Sequence, residues 1–341
     1  MKAGIITFHW ATNYGAVLQT FALQEYLKSR GCDVEIINYK PRQYDFWLKY
    51  LYNPALIRFI KKDLVSHNKE KKLAAFRSRH LNLTKRYCST SELCNSVFDY
   101  DLLISGSDQV LNPYFTIKGE RKPTAAYYLP FGDCSKKIGY AVSFGCEDYS
   151  GEALGLAKDW IGNFNKVGVR ESSGITILSQ MQYEGNSSVV PDPTILRGKK
   201  LIEDVIGDSN EKNGKTCVYM LRSSIQLDDN SVVYIDDNHN PLSLEDWVRT
   251  ISSSKFLVTN SYHGMIVAIL SHTPFAVLLE KTRYSGMNDR FITLLSRLNL
   301  ESRIISDINE INKISADYID WNKTDLRLAD FQEIGFDFIG I

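Results

Sequence analysis

The chain has 341 residues, 44% of them hydrophobic and 23% charged, a length and composition that fit two soluble globular domains of about 150 residues each. Lysine plus arginine equals aspartate plus glutamate at 40 each, so no global field recruits nucleic acid or membrane, and any charge argument has to be local. No apolar run approaches the roughly 18 residues of a membrane span, no signal peptide is readable after Met1, and the six scattered cysteines form no CxxC or metal pattern. The expectation is a cytoplasmic protein with reduced thiols and no structural zinc.

In chain order, Ala3–Phe8 reads as a buried parallel strand. Residues 15–30 carry Leu18, Phe21, Ala22 and Tyr26 at helical spacing, Gly31 supplies a stop, and Val34–Asn38 is a second strand. The first loop of this βαβ unit, His9 to Tyr14, falls at the carboxyl edge where open α/β sheets hold ligands. Further strands are expected at Asp101–Ser105, Ile138–Val142 and Lys166–Val169. A polar segment then spans Glu184–Ser188, and Val189-Val190-Pro191-Asp192-Pro193 reads as a strand ending in a rigid turn. A second series covers Cys217–Leu221, Val232–Ile235, Phe256–Thr259, Phe275–Leu279 and Arg303–Ile305. The fold class expected is two Rossmann-like α/β domains facing a cleft: residues 1–185 on the acceptor side, 186–310 on the donor side, and a C-terminal segment 311–341 packing back on the first.

Between Trp47 and Tyr87, lysines and arginines face only Asp63 and Glu70, with aromatics interleaved at the start. Such a stretch can lie on an anionic membrane surface, or it can cover the sheet as helices with solvated basic faces.

Three segments can carry chemistry. In Thr259-Asn260-Ser261-Tyr262-His263-Gly264 a strand enters a helix N-terminus, which suits phosphate or carboxylate; His263 beside it can donate a charge-assisted hydrogen bond or move a proton, or can merely cap the helix. In Ser105-Gly106-Ser107-Asp108-Gln109 a strand meets a small-residue turn; Asp108, Gln109 and Asn112 can grip sugar hydroxyls or supply a base, or can form an Asx turn. In Val169-Arg170-Glu171 a strand delivers a guanidinium to the carboxyl edge, either as an oxyanion fork or as half of an ion pair with Glu171. Lys281, Arg283 and Arg290 add a basic loop at another carboxyl edge. The absence of GxGxxG after the first strand, of GxxxxGK[ST], HExxH and GxSxG removes support from the dinucleotide, P-loop, zinc-protease and hydrolase classes.

Taken together, Asn13-Tyr14-Gly15-Ala16-Val17-Leu18-Gln19, Gly106–Asn112, Tyr140–Gly145, Val169-Arg170-Glu171, Asp192-Pro193-Thr194, Asn260–Gly264 and Asn288-Asp289-Arg290-Phe291 resemble the polysaccharide pyruvyl transferase family, in family order over most of the chain. The resemblance implies a fold similar to GT-B glycosyltransferases and transfer of pyruvate from phosphoenolpyruvate, as a ketal, to a sugar of a polymeric or lipid-linked glycan, with no metal or cofactor. It gives His263 as general acid, Arg170 as donor clamp and Asp108 as base. Ser261, Gly264, Lys281 and Arg290 assist at the donor, and His9, Asn13, Tyr14, Ser107, Gln109 and Asn112 assist at the acceptor. Ser261 stands where some members carry an arginine, which shifts phosphate binding towards Arg170, the helix N-terminus and Arg290 or Lys281. On this reading Arg170→Ala and His263→Ala abolish turnover with the fold intact, and the basic stretch 47–87 offers peripheral contact with the inner membrane face. Two alternatives stand beside it: a GT-B-type enzyme using a nucleotide sugar, and a non-catalytic glycan-binding or assembly protein.

Overall fold

A computed structural model describes residues 1–45, 57–58, 60–134, 136–208, 211–227, 231–279 and 287–341, without the side chains of Lys61 and Lys62. Eleven strands among these residues form two wholly parallel sheets. The first holds β1 (Lys2–Ile6), β2 (Asp33–Ile36), β3 (Leu102–Ser105), β4 (Lys136–Val142), β5 (Lys166–Val169) and β6 (Asn186–Val189), in the order β2-β1-β3-β4-β5-β6. The second holds β7 (Thr216–Tyr219), β8 (Val232–Tyr234), β9 (Phe256–Thr259), β10 (Phe275–Leu278) and β11 (Ile304–Ile305), in the order β11-β10-β9-β7-β8. Read from the first strand of each, both sheets wind 2-1-3-4-5, so each has a switch point between its first and third strands. The loops after β1 and β3, and those after β7 and β9, therefore line the ligand-binding edges.

Strand interiors such as Ala3–Ile6 and Leu102–Ser105 are buried residue after residue, which is why they read as unbroken apolar runs. Strand β6 was missed for the opposite reason. It lies at the sheet's edge, its serines are half exposed, and its sequence reads as a polar connection. The first sheet thereby runs past the expected division at 185.

Helix Tyr14–Ser29 starts on Asn13, whose Oδ1 accepts from Ala16 N (3.2 Å), and ends before Gly31 at φ +80°. It is buried on nearly every face because both halves pack on it. One contiguous core takes in Ile5 and Val17 from the first half, Trp247 and Met265 from the second, and Phe338 from the last helix. That helix, Trp321–Ile339, is a strap: His272 stacks on Trp321 at one end, and at the other Lys136 Nζ donates to Ile339 O (2.8 Å) while Phe338 packs near Tyr140. An interface this apolar holds the halves as one unit.

The basic stretch is in its described part the single helix Ile60–His80. Lys69 Nζ lies 2.6 Å from Asp237 and 3.9 Å above the Tyr14 ring; Arg79 pairs with Glu245 (2.6 Å), and Lys72 Nζ donates to Pro241 O (2.7 Å). These cations find partners on the second half, so much of the local charge excess braces the two halves together. The aromatics at its start, from Phe46 to Leu56 and at Phe59, lie outside the described residues. No helix among the described residues is long and apolar enough to cross a membrane.

Candidate functional site

The site grows from the carboxyl ends of β5 and β6. Strand β5 delivers Arg170, and the turn after β6 delivers Asp192, which are 2% and 1% exposed. Arg170 Nη1 donates to Asp192 Oδ2 (3.2 Å), which also accepts from Ser107 Oγ (2.8 Å). Asp192 Oδ1 caps the next turn, accepting from Thr194 N (3.0 Å) and Oγ1 (2.6 Å). Burial alone would raise the Asp192 carboxyl pKa; His263, Arg170 and Thr194 together hold it well below the carboxylate range. Arg170 is not spent by this pair. Its Nε and Nη2 are buried without hydrogen-bond partners, the nearest carboxylate oxygen to Nε being Glu171 Oε2 at 3.7 Å. Glu171 is itself fixed through Oε1, which accepts from Ser143 Oγ (2.6 Å) and Phe144 N (3.1 Å).

The second sheet approaches from the other side. Asn260 pins the loop after β9, accepting from Leu221 N (2.6 Å) and donating to Leu221 O (2.9 Å). Ser261 then caps helix Tyr262–Leu270, its Oγ accepting from Gly264 N (3.2 Å). This fixes His263, 8% exposed, with Nε2 3.6 Å from Asp192 Oδ2, an ionic contact when the ring is protonated. The other side of the imidazole lies on Gly15. A Cβ there would come within 2.5 Å of its Cγ, so only glycine lets the ring seat.

Arg290, at the start of helix Asp289–Leu298, completes the group. Its Cζ lies 5.3 Å from the Tyr262 ring centroid and that of Arg170 lies 5.0 Å from the same centroid, so one tyrosine serves two guanidiniums. Arg290 Nε is buried and unpartnered, and burial first, then the charge of Arg170, push its pKa down to about 10. Two buried guanidiniums on one tyrosine ring, each with a nitrogen left without a partner, make this cluster a candidate oxyanion site.

The other expected site residues divide. Asp108 stands at φ +88°, its Oδ1 accepting from Gln109 N (2.8 Å), and its charge acts on both Arg170 and Arg290. Gln109 reaches across to Met287 Sδ (3.0 Å). Ser107 supports Asp192 from behind. Asn112 caps helix Pro113–Lys118, accepting from Tyr114 N and donating to Phe144 O (2.9 Å each). Asn13 is likewise a cap, and Tyr14 clasps the halves, donating to Leu242 O (2.9 Å) and stacking on Trp247. His9 is 1% exposed and bonded through its two nitrogens to Thr7 O (3.2 Å) and Asn38 Oδ1 (3.1 Å); burial lowers its pKa to about 4. The structure thus gives His9, Asn13, Tyr14 and Asn112 scaffold contacts, while Arg170, His263 and Arg290 converge. Lys281 lies outside the described residues.

Three participants were passed over in the sequence. Asp192 was read as part of a rigid turn, though an acid between two prolines directly after an apolar run was a usable signal. Tyr262 and Gly15 carried none beyond their motifs, because their parts depend on a partner from the other half.

Solved structures similar to this chain include the N-terminal domain of Candida albicans trehalose-6-phosphate phosphatase (9% identity, 99% of this chain and 95% of that one, TM-score 0.46) and E. coli heptosyltransferase WaaC with ADP (12%, 93% and 99%, 0.37). S. aureus MnaA with UDP is a third (12%, 100% and 97%, 0.43). A search of curated proteins finds no match. The sequence profile of the polysaccharide pyruvyl transferases matches residues 13–281, from the cap of the first helix through the loop after β10. Every converging residue except Arg290 lies inside that match, and the chain belongs to the polysaccharide pyruvyl transferase family.

Proposed function

We propose that the Arg170–Arg290–His263 pocket binds phosphoenolpyruvate and that the protein transfers its pyruvyl group, as a ketal, to a sugar of a surface polysaccharide or its lipid-linked precursor. The observation that carries this is the pair of buried guanidiniums with open donors beside the N-terminus of helix Tyr262–Leu270. A small donor carrying both phosphate and carboxylate satisfies both forks at once. His263, paired with Asp192, is placed to hold the proton that C3 of phosphoenolpyruvate must gain, turning its methylene into a methyl group. As that C–H bond forms, C2 takes on cationic character. A sugar hydroxyl then bonds to C2 and gives its proton to a base, for which Asp108 is the candidate. A second hydroxyl bonds to C2 as the C2–O bond to phosphate breaks; phosphate leaves with its electron pair, and the hydroxyl's proton passes to the now neutral His263 ring. The guanidiniums stabilise that leaving group.

The test is thermal stabilisation by phosphoenolpyruvate against UDP-, GDP- and CMP-sugars. Stabilisation by phosphoenolpyruvate alone supports this reading; stabilisation by a nucleotide sugar points to glycosyl transfer, and by none to a binding or assembly role. Asp108→Asn is expected to impair acceptor use more than donor affinity, and a mainly donor defect would reassign it. Attachment at an anionic membrane, which a lipid-linked acceptor would require, falls to basic residues outside the brace, such as exposed Lys71 and Lys85. Co-sedimentation with anionic vesicles that is lost at high salt supports it, and equal behaviour with neutral vesicles opposes it.

A further inference from the structure

A second pocket opens on the same carboxyl edge of the first sheet, between the loops after β1 and β2 and helix Ile60–His80. It encloses about 260 Å3 and is walled by Trp10 and Tyr44, whose rings stack 4.6 Å apart at 29°. Lys40 Nζ stands 5.9 Å over Trp10, and on the opposite wall Thr12 Oγ1 donates to Glu70 Oε2 (2.9 Å). Gln43 is fixed by its amide nitrogen, which donates to Lys118 O (2.9 Å) and Gly119 O (2.8 Å). Its Oε1 and the neighbouring Tyr44 Oη are buried without a hydrogen-bond partner.

We infer that this pocket is a subsite for one pyranose ring of the acceptor glycan, neighbouring the sugar that is modified; the identity of the acceptor rests on the pyruvyl-transfer reading above. The chemistry of the walls selects the ligand. The stacked Trp10–Tyr44 pair offers its outer apolar surface to the C–H side of a sugar ring, while the Thr12 hydroxyl, the Glu70 carboxylate and the Lys40 ammonium offer partners to its hydroxyls. The volume lies below the roughly 300–1,000 Å3 of sites for drug-sized ligands and suits a single small ring. None of the described lining residues is an arginine, and the nearby Arg77 is paired with Glu70, which argues against phosphate. The position is also right. Trp10 is five residues before Gly15, on which His263 rests, so the two sites are separated by at most about 18 Å of extended chain.

The experiment is saturation-transfer NMR of the full chain with the methyl glycosides of glucose, galactose, mannose, N-acetylglucosamine and N-acetylmannosamine, on the wild type, Trp10→Leu, Tyr44→Leu and Thr12→Val. At least one glycoside is expected to bind, and losing either aromatic should weaken it about three- to tenfold. Thr12→Val, which leaves the ring stack in place, should weaken it too and is the arm to read if either leucine variant fails a circular-dichroism folding control. No glycoside bound by the wild type, or one bound equally by all the folded variants, overturns the assignment. Stabilisation by phosphoenolpyruvate is measured in parallel on the wild type. Its failure strikes the donor reading while leaving the glycoside result to judge this pocket.

Discussion

Two clusters join the halves of this protein, and each holds a buried cation of the first half against a carboxylate: Asp237 of the second half in one, and Asp192 of the first half in the other, where His263 of the second half closes on it. In the brace, Lys69 (7% exposed) gives its charge to Asp237, which also accepts from Tyr219 Oη (3.0 Å), and the ammonium covers the Tyr14 ring. In the site, Arg170 gives Asp192 one nitrogen and keeps Nε and Nη2 uncommitted, beside Arg290, whose Nε is likewise buried without a partner. The site pair is the more deeply buried and the less fully committed of the two. A buried donor without a partner costs stability, which singles this cluster out for testing.

The comparison breaks most sharply at Arg170. Arg170→Lys keeps the charge but loses the fork, and kcat/KM for phosphoenolpyruvate is expected to fall about 10²–10³-fold, the scale of one lost oxyanion donor. Arg170→Ala also strips Asp192 of its ion partner, so a loss of about 3–5 kcal/mol is expected in urea unfolding. The sequence left Arg170 open between an oxyanion fork and an ion pair with Glu171 and carried the expectation of an intact fold; the pair with Asp192 is the reason a stability loss is expected here. A lysine variant with near-normal kinetics would end the analogy with an oxyanion receptor.

Gly15→Ala sharpens the difference from the other direction. The methyl group displaces the His263 ring and its 3.6 Å contact with Asp192 while leaving the Arg170–Asp192 pair in place, and a misplacement on the ångström scale can cost about 10²-fold in turnover. Stability should change little, since alanine gains about 1 kcal/mol of helix propensity against the clash. Wild-type turnover in this variant would remove His263 from the acid role.

At the brace the pattern reverses. Lys69→Met leaves the half-buried Asp237 with the Tyr219 hydroxyl but no ion partner and should cost about 1–3 kcal/mol, with kcat/KM changed only a few-fold. Adding Asp237→Leu should recover most of the loss. If Lys69→Met instead behaves like Arg170→Lys, the two clusters are one functional unit.

The smallest effect is a pH dependence at His9, which belongs to the scaffold side. Its folded pKa of about 4 lies below the ordinary value of 6.5, so between these pH values the unfolded chain binds the proton and the folded one does not. Its contribution is full above pH 6.5 and declines as pH falls towards 4, by about 3 kcal/mol in total. The drop in urea midpoint from pH 7 to 4.5 should therefore be smaller in His9→Gln than in the wild type. Identical slopes would place His9 in contact with solvent or ligand.

The positions of most strands along the chain, the first helix with its Gly31 stop, and the placement of Arg170 and His263 after strands were legible in the sequence, whereas the lateral order of the strands was not. Apolar runs, caps and breakers act over a few residues, and a strand that ends in a charged or polar group announces that group's position. What the tertiary structure alone decided is the allocation of polar residues between scaffold and site. His9, Asn13 and Asn112 have the composition of a sugar-binding loop, yet each bonds a backbone or side-chain group at short range. Asp192, hidden in an apparent turn, became the hub because Ser107, Arg170 and His263 arrive there from three separate loops of two sheets. The lysines of helix Ile60–His80 look like a surface charge until Asp237 and Glu245 meet them. Local sequence fixes backbone conformation through interactions a few residues long, whereas a buried charge is defined by partners tens to hundreds of residues away.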